Sequence, residues 1–168
     1  MIRTIRWWLF LGLGFYFCGI LTVLPLSDAY QWYRPQWLLM FFIFCQISFP
    51  RSFNPVLAWA GGLLLDCLLG TRFGENALIF TVICYIAALV RPRFLLRPLW
   101  QQIGKISLLI CLGQIFTLWF HALDGHNPHT LLYWMGTVSS CLIWPLFVKF
   151  FQGISRMFSV AAFSSRSI

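Results

Sequence analysis

Asp66 is a carboxylate set inside Gly61-Gly62-Leu63-Leu64-Leu65-Asp66-Cys67-Leu68-Leu69-Gly70-Thr71-Arg72-Phe73-Gly74, a stretch otherwise suited to lipid. A charge at the centre of hydrocarbon costs about 2.5–3.5 kcal/mol even on the lenient insertion scale, so such a residue faces protein or water. Gly62, Asp66, Gly70 and Gly74 recur every four residues, a spacing that a helix gathers into one stripe. Small residues beside Asp66 let a second backbone approach closely. The chemistry open to Asp66 is neutralising a cation, relaying protons, pairing with a donor such as Arg72 or Arg34, or fixing helix packing. Packing or partner contact is the leading reading and proton relay or transport the second. General acid–base work needs a second positioned group, and Glu75 is the only other acid close in sequence.

Other polar residues offer less. The segment Gly70 to Asn76 reads as a loop running into the next helix, with Gly74 at a turn or close approach and Glu75 and Asn76 suited to a helix N-terminus. His121, His126 and His129, with Asp124 between them, supply ligand types for a metal. Their spacing matches no compact zinc pattern, and Gly125 and Pro128 mark an ordinary loop, so no metal is expected. The six cysteines, Cys18, Cys45, Cys67, Cys84, Cys111 and Cys141, fall one in each apolar run without a C-x-x-C pair, and read as small hydrophobes. Gln46 and Gln114 are suited to hydrogen bonds between helices. No nucleophile elbow, zinc-protease or phosphate-cradling motif is present, so no catalytic residue, cofactor or enzymatic activity is expected.

The elements that position these residues are membrane spans. Of the 168 residues, 60% are hydrophobic and 10% charged, against about a quarter charged in soluble domains. Six apolar runs cover about 7–26, 37–50, 55–70, 77–90, 103–122 and 131–151. The first, fifth and sixth approach the roughly twenty residues needed to span; the second, third and fourth are shorter. A single all-α integral membrane domain over 1–168, folded as a six-helix transmembrane bundle, is therefore expected, with a frayed tail over 161–168. A re-entrant hairpin of runs two and three is the alternative. The first run is too long for a signal peptide and lacks a small-residue cleavage site, so it reads as an uncleaved span. Trp144-Pro145 should kink the sixth helix.

Net charge +8 does not indicate nucleic acid, because the basic residues sit between apolar runs rather than along one face. With the N-terminus inside, ten lysines and arginines fall on inner segments, and only Arg34 and Arg72 fall on outer loops. This bias predicts cytoplasmic termini and places Asp66 in the outer half of the third run. Trp7, Trp8, Trp32, Tyr33, Trp37 and Trp100 lie near run ends, where aromatic rings anchor at the headgroups. Arg91–Arg97 is explained by topology, with contact to anionic lipid as the alternative.

Arg34-Pro35-Gln36-Trp37 opening the second run, Asn54 in the inner turn, the Gly62, Asp66, Gly70 and Gly74 series, Tyr85-Ile86-Ala87-Ala88-Leu89, Leu99-Trp100-Gln101-Gln102 and Trp144-Pro145 follow one another in a familiar order. Over about residues 5–158 they resemble the MreD family of rod shape-determining proteins of the bacterial inner membrane. The histidine-containing outer loop departs from the pattern. The resemblance implies a fold similar to the six-helix substrate-binding component of energy-coupling-factor vitamin transporters. It also implies association with MreC, and a place beside MreB, RodA and the elongation penicillin-binding protein. On that footing the expected function is a non-enzymatic scaffold of cell elongation. Asp66, Gly62, Gly70, Gly74, Arg34 and Arg72 are its partner-binding or packing residues. The rival reading is a small-solute, vitamin-like binding component of a transporter. Gly12, Gly14 and Gly19 without an alanine in the first run disfavour it.

Overall fold

The computed structural model describes residues 2–24, 34–49, 52–90, 99–123 and 134–157. They form six α-helices: α1 Ile2–Val23, α2 Trp37–Ser48, α3 Pro55–Leu69, α4 Glu75–Val90, α5 Leu99–Leu123 and α6 Met135–Met157. No strand occurs among the described residues. Asp28, Arg51, Arg91, Arg93, Arg97, Asp124, His126, His129 and the tail over 161–168 lie outside them.

Three helices contain stretches long and apolar enough to cross a membrane: Ile5–Val23, Gln101–Phe120 and Met135–Arg156. These are the runs whose lengths predict complete spans. The other three have 12, 15 and 16 residues, or about 18–24 Å of helix against about 30 Å of hydrocarbon.

The shortest helix is the most enclosed. Ten α2 residues, Leu38 through Ile47, are buried. An apolar helix surrounded by protein needs no polar face, and α2 has none. Gln46 is its one buried polar side chain, and Oε1 of Gln46 has no hydrogen-bond partner among the described residues, unlike the interhelical bond expected of it. The α2 side chains enter recesses left by glycines on its neighbours. Gly14 of α1 lies under the Phe41 ring and Gly61 of α3 under the Phe42 ring. Gly113 of α5 lies so close to Leu39 that an added Cβ would stand 3.1 Å from its Cδ2. Lipid tails are as apolar as leucine, so helices associate through such close packing rather than through escape from water. Phe41, Phe44, Phe49, Phe147 and Phe151 extend the core towards α6, with the Phe147 and Phe151 ring centroids 4.5 Å apart.

The outer surfaces of α1, α5 and α6 carry exposed Trp8, Tyr16, Leu108, Trp119, Leu142 and Leu146, the composition of lipid-facing surface. α3 packs chiefly on α4, whereas a re-entrant hairpin of runs two and three would pair it chiefly with α2. α6 continues through Pro145, and Trp144 beside it is buried.

Candidate functional site

The α3–α4 connection is built around Asp66. Pro55 occupies the first turn of α3, where its missing N–H costs nothing. The helix ends when Gly70 adopts φ 65° and ψ 25°, the left-handed C-cap. Gly74 has φ 97°, a region that side chains rarely occupy. These two glycines turn the chain back so that α4 begins beside the last turns of α3. Gly62 permits the contact: a Cβ there would lie 2.6 Å from the Ala77 nitrogen and 2.8 Å from the Asn76 carbonyl carbon.

Asp66, in the last turn of α3, is buried against this connection at 1% exposure. Its Oδ1 accepts from Thr71 Oγ1 at 3.0 Å, from the Asn76 amide at 3.0 Å and from Asn76 Nδ2 at 2.8 Å. Its Oδ2 accepts from the Gly74 amide at 2.9 Å. The Gly74 and Asn76 amides belong to the entry of α4, where helical N–H groups lack intrahelical partners. Asp66 therefore acts as a cap supplied by the preceding helix, its carboxyl oxygens placed at the N-terminal end of α4. Such an arrangement can hold a turn and orient what it displays. At the tip, Phe73 is 80% exposed, with Arg72 exposed beside it.

The expected four-residue stripe is realised in part. Gly62 and Asp66 share α3, but the helix stops at Leu69, so Gly70 and Gly74 act in the connection instead. Arg34 lies elsewhere: its Nη1 donates to the Thr22 carbonyl at 2.6 Å, near the C-terminal end of α1, where a cation is favoured. The N-terminus of α2 is fixed to α6 by the Gln36 amide, which donates to Ser140 Oγ at 3.1 Å. Ser140 donates in turn to the Gly136 carbonyl at 2.6 Å. Gln114 joins α5 to α6 by accepting from Thr137 Oγ1, the interhelical role that its place in an apolar run suggests. Thr71 and Ser140 were not marked by any sequence motif; their roles depend on positions far along the chain or across a turn. Among the described residues no three His, Cys, Asp or Glu side chains are grouped to hold a metal.

The family model described as rod shape-determining protein MreD matches residues 1–154. The rod shape-determining protein MreD of Haemophilus influenzae is 26% identical over 160 residues, covering 92% of this chain and 95% of the relative. No solved structure matches the chain.

Proposed function

The chain belongs to the rod shape-determining MreD family of membrane proteins, and from that premise we propose that it is a non-enzymatic scaffold of the elongation machinery in the bacterial inner membrane. In this reading both termini are cytoplasmic. The α1–α2, α3–α4 and α5–α6 connections face the periplasm, where the α3–α4 turn docks the membrane-anchored MreC. MreC and this chain together then position RodA and its penicillin-binding transpeptidase relative to MreB.

One observation carries the reading: the Asp66 carboxylate is enclosed in four hydrogen bonds that hold the turn, while Phe73 stands exposed at its tip. Asp66 thus serves a partner indirectly, by presenting a fixed apolar side chain, and Gly62, Gly70 and Gly74 serve the same turn. A large exposed aromatic ring is the type of residue that anchors in a partner's pocket.

Co-purification of the tagged chain in mild detergent tests this. Phe73→Ala should leave the melting temperature unchanged, reduce recovered MreC by about tenfold and give rounded cells. Undiminished MreC with Phe73→Ala would show that the turn is not the docking surface. Recovery of an ATPase module or a vitamin-like molecule in place of MreC would favour the transporter reading.

A further inference from the structure

A cavity of about 360 Å³ opens at the end of the bundle that holds the α3–α4 turn. Its size lies within the lower range of small-molecule sites, about 300–1,000 Å³. Asp66 is not among its lining residues. Arg34, Asn76 and Gln114 contribute polar groups, while Leu65, Leu69 and Phe80 give it an apolar wall. The Asn76 side chain belongs to both features, because its amide donates to Asp66.

Arg34 has an unusual environment. Nη1 donates to the Thr22 carbonyl, but Nε and Nη2 are buried without a hydrogen-bond partner. A guanidinium remains charged at all accessible pH values, and burying its donors without acceptors is costly. The two unpartnered nitrogens are not a random pair. Nε–H and the nearer Nη2–H lie on one edge of the planar group, forming the fork that takes two oxygens of a single phosphate or carboxylate. Nη1, on the other side, is the nitrogen tied to α1. The side chain is thus anchored at one corner and retains a bidentate edge; Arg34 lines the cavity, but these two nitrogens are covered from it in this conformation.

We propose that this cavity binds a phosphate-class oxyanion carried on an apolar chain, the oxyanion drawing the Arg34 fork round to it and the chain lying against Leu65, Leu69 and Phe80. The apolar wall of Leu65, Leu69 and Phe80 beside Arg34 suits a lipid phosphate rather than free phosphate as the source. This site is independent of the scaffold reading and uses neither Asp66 nor Phe73.

The test is native mass spectrometry of the full-length, delipidated protein titrated with decyl phosphate, inorganic phosphate and decanol. Wild-type protein should bind one equivalent of decyl phosphate about tenfold more tightly than either of the others. Arg34→Gln should lose about tenfold in affinity, and Arg34→Lys, which keeps the charge but not the fork, should fall between. Thr117 also lines the cavity, and Thr117→Phe should weaken binding by obstructing the space with Arg34 in place. That variant keeps the test decisive should Arg34→Gln fail to fold. Equal binding of decyl phosphate by wild type and Thr117→Phe would overturn the site. Inorganic phosphate binding as tightly as decyl phosphate would overturn the lipid source.

Discussion

At the scale of single residues, the fold depends on a carboxylate whose acceptors meet a converging set of donors. Asp66→Asn keeps the shape but turns an NH2 group towards Gly74 N or towards the Thr71 and Asn76 donors, which should cost about 1–3 kcal/mol. Asp66→Ala leaves the α4 entry amides without their acceptor in a buried turn and should cost about 3 kcal/mol or more. Thr71→Val removes one of the donors with little change in volume and should cost only about 1 kcal/mol. Unfolding in mixed micelles with dodecyl sulfate should give this order, and equal losses for all three would contradict the cap. Asp66 itself was legible from the sequence because a charge in an apolar run is conspicuous. Its partners were less so: two of the donors are backbone amides, Gly74 N and Asn76 N, which carry no residue-type signature. They converge only because Gly70 and Gly74 adopt positive φ. Arg34 illustrates the same limit, since its bond to Thr22 joins segments twelve positions apart.

At the scale of elements, the glycines divide by what surrounds them. Gly62 lies against the α4 backbone, and an added methyl would meet Ala77 N at 2.6 Å; rotating a side chain cannot relieve that clash. Gly12 and Gly19 have nothing within 4 Å of an added Cβ. Gly62→Ala should therefore destabilise by about 1–3 kcal/mol as α3 and α4 are pushed apart. Gly12→Ala or Gly19→Ala should be neutral or stabilise by up to about 1 kcal/mol through helix propensity. The same micelle unfolding measurement separates them, and a stable Gly62→Ala protein would show that the α3–α4 contact is looser than described. Six apolar runs predicted six helices because each run needs backbone hydrogen bonds in lipid and a helix supplies them internally. Their ends were less legible: α5 starts at Leu99, and α3 stops at Leu69, where the left-handed Gly70 cap rather than the limit of hydrophobicity ends the helix. That α2 is the enclosed helix could not be read from apolarity alone, because a lipid-facing helix and a protein-enclosed one can share that composition. The distinction lies in the glycine recesses on α1, α3 and α5, which become visible only when the helices are assembled.

At the scale of the whole molecule, alternating helices separate the basic residues into two unequal sets. Arg34 and Arg72 lie at the end bearing the α1–α2 and α3–α4 connections, whereas Arg6, Lys105, Lys149 and Arg156 lie towards the other. Lysine and arginine are retained on the cytoplasmic side during insertion, and the bias counts most close to span ends. The end with the α3–α4 turn should accordingly be periplasmic, and this single assignment governs both the docking proposed for the turn and the side from which a lipid phosphate would enter the Arg34 cavity. Arg72 and Arg156 are each exposed, on opposite ends of the bundle, and so form a matched pair of reporters. Arg72→Cys should react with a membrane-impermeant maleimide in intact spheroplasts, above the background of the native cysteines. Arg156→Cys should react only after the membrane is permeabilised. The opposite pattern would place the Asp66 turn in the cytoplasm and exclude a periplasmic MreC segment as its partner. It would leave the affinity of the Arg34 cavity for decyl phosphate untouched, because that depends on the fork and not on the side from which it is filled.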